Sequence, residues 1–291
     1  MKYRIVHKTG YQYSEPASLS QNELYLKPRE TATQRLIEHQ LALIPTPQYR
    51  QSRNDYFGNF VQIFMVQQPH NDLTMTATSM VETRLQVIPP PETTPPWEDV
   101  SRRLTAHDTP TILDAYQFVF VSPLISVGTD ARDYARVSFP PGRPVLTGAV
   151  DLTQRIFSDF TYDVSATTVD TSVDHVLKSR KGVCQDFAHV AISCLRSLGL
   201  AVRYVSGYLE TQPPPGKPRL VGADASHAWL SLFVPDFGWV DLDPTNNMIP
   251  GENHITLAWG RDYGDVTPVN GVVMGGGVHT LSVMVDVSAQ P

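Results

Sequence analysis

The chain has 291 residues, of which 41% are hydrophobic and 18% are charged, and its formal net charge is −6. This composition is typical of a soluble globular protein, and the length favours two domains whose core needs no disulfide or metal to hold it together. The acidic balance argues against nucleic-acid or anionic-membrane partners, because both attract basic surfaces.

The N-terminal residues lack the pattern of a targeting segment. Residues 1–10 alternate charged and apolar side chains, whereas a signal peptide has an apolar stretch of about 7–15 residues. The sequence also lacks the run of about 20 apolar residues that a membrane-spanning helix needs. Two cysteines in the whole chain fit a reducing compartment, so we predict a cytoplasmic protein.

Residues 1–90 are predicted to form an antiparallel β domain of about six strands. Residues 2–13 alternate polar and apolar side chains around a turn predicted at Thr9–Gly10. The same pattern, with β-branched and aromatic residues at many alternate positions, recurs in residues 35–45, 59–69 and 73–89.

A proline-rich segment marks the predicted domain boundary. Five prolines lie between residues 89 and 96, which predicts a stiff linker over residues 91–100 instead of a packed element. The second domain then spans residues 101–291.

The second domain is predicted to begin with helices and to continue with strands. Helical spacing of apolar residues occurs in residues 130–139, 143–160, 172–180 and 183–199. Strand patterns follow in residues 201–211, 226–234 and 238–244, with an exposed loop at 212–219 and a closing strand at 278–287. Helices followed by an antiparallel sheet give an α+β fold class.

Cys184 lies in the first turn of the strongest predicted helix. The free backbone amides of a helix start carry a partial positive charge, which favours a thiolate over a thiol. Gly182 lets the backbone turn sharply just before it. Cys194 lies on the apolar stripe of the same helix and is assigned to the core. At 1.5 Å rise per residue the two cysteines are about 15 Å apart, too far for a disulfide.

His227 is the preferred base for this thiol. It opens one strand of a predicted hairpin, and the other strand carries Asp241 and Asp243 on the same face. Placing His227 directly opposite Asp243 leaves a five-residue loop, Phe233–Phe237. Because side chains alternate along a strand, either carboxylate could face His227 and orient its imidazole. The pairing opposite Asp243 favours that residue. His189 points to another side of the Cys184 helix.

Simpler interpretations exist for each of these residues. A buried cysteine is more often structural, and a strand histidine or a pair of strand-end carboxylates is often only solvated. A zinc site formed by Cys184, His189 and His227 would match no usual ligand spacing. The sequence has no acidic loop typical of calcium sites, and we expect no metal and no cofactor.

Three segments together resemble the transglutaminase-like superfamily, which has a papain-like fold. They are "GVCQDFAHVAISCLRSLGLAVRYVSGY", "SHAWLSLFVPDFGWVDLDPTN" and "RDYGDVTPVNG". The start, "YRIVHKTGYQYSEP", is similar to the β-rich N-terminal region of the bacterial transglutaminase-like cysteine proteases. The resemblance covers nearly the whole chain and implies a papain-like core behind an antiparallel β domain.

The resemblance implies a catalytic triad of Cys184, His227 and Asp243. It also points to Tyr162, in the family motif "FTYD", and to Gln185 as candidates for the oxyanion site or substrate pocket. Trp229 shares the face of His227, so it could line an acyl pocket or only shield the hairpin core.

The favoured function is therefore a cysteine-dependent amide hydrolase, a protease or an amidase, that acts on a peptide or protein through an acyl-enzyme. Transfer of the acyl group to an amine, as in a transglutaminase, is the first alternative. Animal transglutaminases use an upstream tryptophan at the oxyanion, and the only tryptophan upstream of Cys184 is Trp97 in the linker, which favours hydrolysis. The second alternative is a non-catalytic protein-binding module.

Overall fold

A computed structural model of the protein describes residues 1–211 and 226–290. These residues form an N-terminal antiparallel sheet, a group of helices and a second antiparallel sheet, which confirms the predicted α+β class. The loop predicted at residues 212–219 lies outside the described residues. No helix in the described part of the chain is long and apolar enough to cross a membrane.

The N-terminal sheet is built around one long strand. Five strands form in the first 90 residues: β1 (Lys2–Leu24), β2 (Gln34–Ile44), β3 (Tyr49–Asn54), β4 (Phe60–Val66) and β5 (His70–Thr83). The prediction of a turn at Thr9–Gly10 was wrong, because β1 continues through it. Gly10 is paired on both sides, with Thr74 and with Ser282, and these two ladders keep the backbone extended.

The proline-rich segment leads directly into a helix that the sequence analysis assigned in part to a linker. Helix α1 (Trp97–Ala106) starts after Pro96, where a proline removes no intrahelical hydrogen bond, and Glu98 and Asp99 lie favourably in its first turn. Val100 and Leu104 form the buried face of this helix. The segment packs even before this helix, because Thr94 Oγ1 accepts a hydrogen bond from the Leu146 amide at 3.2 Å and the Pro95 carbonyl accepts one from the Val145 amide at 2.9 Å. The division into two domains remains a prediction.

The remaining helices surround one buried helix. Helix α2 (Pro110–Tyr116) was not predicted. The others lie where they were predicted: α3 (Thr129–Ser138), α4 (Val145–Asp159), α5 (Val173–Ser179) and the buried helix α6 (Cys184–Arg196). In α6 every residue except Cys184 is buried. At its C-terminal end, the Arg196 guanidinium donates hydrogen bonds to the carbonyl oxygens of Phe118, Val202 and Arg261 at 2.7–2.9 Å.

The second sheet covers α6 and carries the histidine and the carboxylates of interest. Two short strands, β6 (Thr161–Tyr162) and β7 (Lys181–Gly182), pair in parallel just before α6. The second sheet then contains β8 (Val202–Leu209), β9 (Ser226–Val234), β10 (Gly238–Leu242) and β11 (His254–Gly260) in the order β10-β9-β8-β11. Strand β11 was not predicted.

The end of the chain returns to the N-terminal sheet. Strands β12 (Val269–Gly275) and β13 (His279–Gln290) both run antiparallel along β1, one beside each half of it. Residues 269–290, which were assigned to the second domain, thus complete the sheet formed by the first. Strand β13 overlaps the predicted closing strand, whereas β12 was not predicted. A hydrophobic cluster that includes Tyr3, Ile5, Val285 and Val287 joins this sheet to the helices.

We predict that Gly207 is required for the second sheet to pack. It lies in β8, where a methyl group would overlap the Ile255 carbonyl oxygen and the Trp229 ring. Gly207→Ala should therefore lower the free energy of unfolding by about 1–3 kcal/mol, the usual cost of overpacking. Urea denaturation measures this change. Gly251→Ala is the control, because its methyl group would lie 3.5 Å from Asn253 Oδ1, and equal losses in both variants would contradict the prediction.

Candidate active site

Cys184 is the first residue of α6 and follows Val183, whose backbone is extended. Residue Asp186, in the first turn, accepts a hydrogen bond from the Val183 amide at 2.8 Å and one from Thr167 Oγ1 at 2.6 Å. Its carboxylate lies against Gly182, where any side chain would collide with it. Burial raises the pKa of Asp186, although these two hydrogen bonds partly oppose the shift. The glycine and this cap together leave Cys184 half-exposed at the helix start.

The β9–β10 hairpin brings His227 to Asp243. His227 Nε2 lies 2.7 Å from Asp243 Oδ2, and the two side chains are 9% and 0% exposed. The predicted pairing was wrong by two residues, because Val234 pairs with Gly238 and the loop has three residues. Asp243, just beyond β10, therefore reaches His227 diagonally. The positive φ of Asp236 (69°) and Gly238 (106°) permits this shorter loop.

Asp241 has a different partner. Its Oδ2 accepts a hydrogen bond from Trp229 Nε1 at 3.0 Å, and it pairs with Ser231 across the hairpin. Of the two carboxylates left open by the sequence, Asp243 is thus the one that contacts His227.

The His227 imidazole is held in its protonated form. Its burial lowers the pKa, but hydrogen bonding with Asp243 and Cys184 and the negative charges of both groups outweigh burial and raise the pKa to about 10. With Nε2 taken by the carboxylate, Nδ1 is the nitrogen left for Cys184. The ring thus lies between a carboxylate and a thiol, where a protonated imidazole favours the thiolate form of the sulfur.

The Asp243 carboxylate is buried but fully hydrogen-bonded. Burial raises its pKa, yet hydrogen bonds from His227, His254 and Asn246 and the charge of His227 hold the pKa well below its usual range. The Asn246 side-chain amide donates to Oδ2 at 2.7 Å, and the backbone amides of Thr245 and Asn246 donate to Oδ1. His254 Nε2 lies 3.1 Å from Oδ2. His254 was not predicted as a site residue, because nothing in the sequence around it distinguishes it.

The three other predicted site residues lie in different environments. Tyr162 is 55% exposed, and its ring packs at right angles to that of Phe187 with 6.3 Å between the centroids. Partial burial and the charge of Cys184 raise its pKa. Gln185 is buried, and its side-chain amide donates to the Val169 carbonyl at 3.0 Å. Trp229 is fully buried with its ring 6.0 Å from that of His227. It therefore shields the hairpin core and does not line an open pocket.

Cys194 and His189, which lie further along α6, have pKa values that do not suit a nucleophile or a base. Cys194 is fully buried, and burial raises its pKa to about 12. Burial lowers the pKa of His189 to about 4, and its Nε2 accepts the Tyr263 amide at 3.2 Å. Trp97 donates to the Pro140 carbonyl at 3.2 Å, so it is engaged elsewhere.

In the described part of the chain, one group of side chains has its potential ligand atoms close enough together for a metal site. It consists of His227, Asp243 and His254. Zinc–ligand distances of about 2.0–2.1 Å in a tetrahedral site separate neighbouring ligand atoms by about 3.3 Å. The 2.7 Å from His227 to Asp243 is shorter, and Oδ2 already accepts three hydrogen bonds. The cluster therefore fits shared protons better than a metal.

Comparisons with known proteins agree with this architecture. Residues 3–82 match the bacterial transglutaminase-like N-terminal region, and residues 135–244 match the transglutaminase-like superfamily. An uncharacterized protein of Mycobacterium tuberculosis is 42% identical over 284 residues, which cover 94% of this chain and 87% of that protein.

Two further relatives are more distant. The solved structure of "a Putative Cysteine Protease" from Cytophaga hutchinsonii superposes with a TM-score of 0.74 at 19% identity, covering 99% of this chain and 90% of the other. The protein-glutamine gamma-glutamyltransferase of Pseudomonas aeruginosa is 33% identical over 92 residues, 31% of this chain and 14% of that enzyme. With this sequence relationship, fold and domain order, the chain belongs to the transglutaminase-like superfamily, whose members are typically enzymes, and carries the bacterial N-terminal region of that family.

Proposed function

We propose that the protein is a cysteine-dependent amide hydrolase, a protease or an amidase, with Cys184, His227 and Asp243 as its catalytic triad. The observation that carries this proposal is the position of the His227 ring between a buried carboxylate and a half-exposed thiol at a helix start. The triad would act on an acyl group bonded to a leaving group, and the similarity in fold to "a Putative Cysteine Protease" favours a peptide or protein as the substrate.

In the proposed acylation step, the Cys184 thiolate attacks the carbonyl carbon of the scissile amide. The C–S bond forms, and the carbonyl oxygen becomes an oxyanion that the Cys184 backbone amide stabilises at the start of α6. Protonated His227 gives its proton to the leaving nitrogen as the C–N bond breaks. Asp243 keeps the imidazole oriented throughout.

In the proposed deacylation step, neutral His227 takes a proton from a water molecule that attacks the thioester. The C–S bond breaks, a carboxylic acid leaves, and the thiolate–imidazolium pair is restored. We assign Tyr162 a contact with the substrate, because it is an exposed side chain whose pKa is raised by partial burial and by the charge of Cys184. Gln185 has a supporting role, because it holds the Val169 carbonyl.

Acyl transfer to an amine is the second candidate. The segment shared with the Pseudomonas aeruginosa protein-glutamine gamma-glutamyltransferase favours it. The two candidates share every step up to the acyl-enzyme and differ only in whether water or an amine attacks it.

Labelling with iodoacetamide at pH 6 tests the nucleophile. We expect Cys184 to react at least about tenfold faster than a small free thiol, which is almost entirely protonated at this pH. His227→Ala should slow the reaction at least about tenfold, whereas Cys194 should stay unlabelled until the protein is denatured. Intact mass and peptide mapping give the rates.

His189→Gln is the control for this labelling, because glutamine can still accept the Tyr263 amide. Equal slowing in both variants would rule out His227 as the specific base. A wild-type rate no faster than the free thiol would favour a binding module over an enzyme.

Titration of the His227 ring by NMR tests the charge arrangement. The pKa of about 10 lies above the ordinary value of 6.5, so the ring should keep its proton through neutral pH and lose it only as the pH approaches 10. Asp243→Asn keeps the shape but removes the charge and should bring the midpoint down toward 6.5. A wild-type midpoint near 6.5 would contradict the assignment.

Incubation with a peptide library in H₂¹⁸O, with a primary alkylamine added, separates the two candidate reactions. Hydrolysis predicts new carboxyl groups that carry ¹⁸O, and mass spectrometry detects them. Cys184→Ser should give neither product. Amine adducts at glutamine side chains without cleaved or deamidated peptides would establish acyl transfer as the reaction instead.

A further inference from the structure

His254 is a second imidazole on the Asp243 carboxylate. It is the first residue of β11, and its side chain is 2% exposed. Its Nε2 lies 3.1 Å from Asp243 Oδ2, and its Nδ1 lies 3.1 Å from the side-chain amide oxygen of Asn253. The edge of its ring packs against Trp229, with 5.3 Å between the ring centroids. The carboxylate contact at Nε2 and the Trp229 ring therefore fix the imidazole on two sides.

The Asp243 carboxylate depends on such partners. A buried carboxylate without hydrogen bonds would be strongly destabilised, and it would turn toward any donor or water within reach. Its Oδ2 is shared among His227, His254 and Asn246. His254 approaches from β11, a different element from the hairpin that carries His227, so it holds the carboxylate from a second direction.

The N-terminal sheet holds the strand that carries His254. The Gln34 side chain accepts a hydrogen bond from the Thr256 amide and donates one to the Thr256 carbonyl, both at 2.8 Å. Thr83 Oγ1 donates to the Glu252 carbonyl at 2.7 Å. Both ends of the short segment around His254 are therefore tied to β2 and β5.

A polar cavity of about 40 Å³ separates these elements. Gln34, Thr83, Asp241 and His254 are among the residues that line it. It is large enough for a water molecule. Without His254, water from this side would reach the carboxylate, and a mobile water molecule, unlike the fixed ring, would not hold the carboxylate in the orientation that faces His227.

We propose that His254 is a positioning residue that holds the Asp243 carboxylate toward His227, and that the N-terminal sheet acts through Gln34 to keep His254 in place. This inference rests on the proposed triad and extends it: the N-terminal region becomes part of the support of the active site. His254 acts through Asp243 and does not touch the substrate.

The test is the NMR titration of the His227 ring in variants of the full chain. In His254→Leu the carboxylate turns away from His227, so the titration midpoint should fall by about one pH unit, the size expected for a weakened hydrogen bond to a charged group. His254→Gln keeps a donor, so the midpoint of the His227 titration should stay close to the wild-type value. If the leucine variant does not fold, His254→Asn, whose amide is too short to reach Oδ2, replaces it.

Gln34→Leu tests the contribution of the N-terminal sheet. We expect a smaller downward shift of the same midpoint, and no additional shift when it is combined with His254→Leu. Gln40→Leu is the control, since Gln40 is an exposed residue of the same strand that donates to Glu38. A shift in the control as large as that in Gln34→Leu would overturn the role assigned to Gln34.

Two results would overturn the role of His254: a midpoint unchanged by His254→Leu, or a glutamine variant that behaves like the leucine variant. The titration reports on the His227–Asp243 pair whether or not Cys184 attacks an amide. Failure of the proposed function would instead appear as slow labelling of Cys184 with an intact titration.

Discussion

A buried, charged carboxylate is the constraint on which the arrangement of this site depends. Asp243 is fully buried and can remain ionised only because its two oxygens accept hydrogen bonds from His227, His254, Asn246 and two backbone amides. The ionised form holds the His227 ring protonated, and a protonated ring stabilises a thiolate at Cys184. The reactivity that we propose for one half-exposed sulfur therefore originates in a group that solvent does not reach.

Each element around this carboxylate has a structural reason for its place. Helix α6 is the buried centre of the fold, so its start is fixed while Cys184 faces outward. The hairpin supplies His227 and Asp243 together. Strand β11, at the opposite edge of the same sheet, supplies His254. Because β2 and β5 bond to the segment around His254, the N-terminal sheet contributes to the same support.

The sequence predicted the parts of this site that local patterns encode. The position of Cys184 at a helix start follows from apolar spacing, and strand parity placed His227 and Asp243 on one face. The predicted pairing of His227 with Asp243 was wrong by two residues. The alternation of side chains does not determine loop length, and the hairpin has a three-residue loop. Helix α1 was missed because its prolines cap a helix start, and His254 was missed because only tertiary contacts bring it to Asp243.

The most direct measurement of the central claim is the pH dependence of thiolate absorbance near 240 nm, taken as the difference between the wild-type protein and Cys184→Ser. The account predicts a signal well below pH 8, because an imidazolium beside a sulfur favours the thiolate. A free cysteine loses its proton only near pH 8.5. A difference signal that appears only above about pH 8 would contradict the ion pair and, with it, the proposed enzyme.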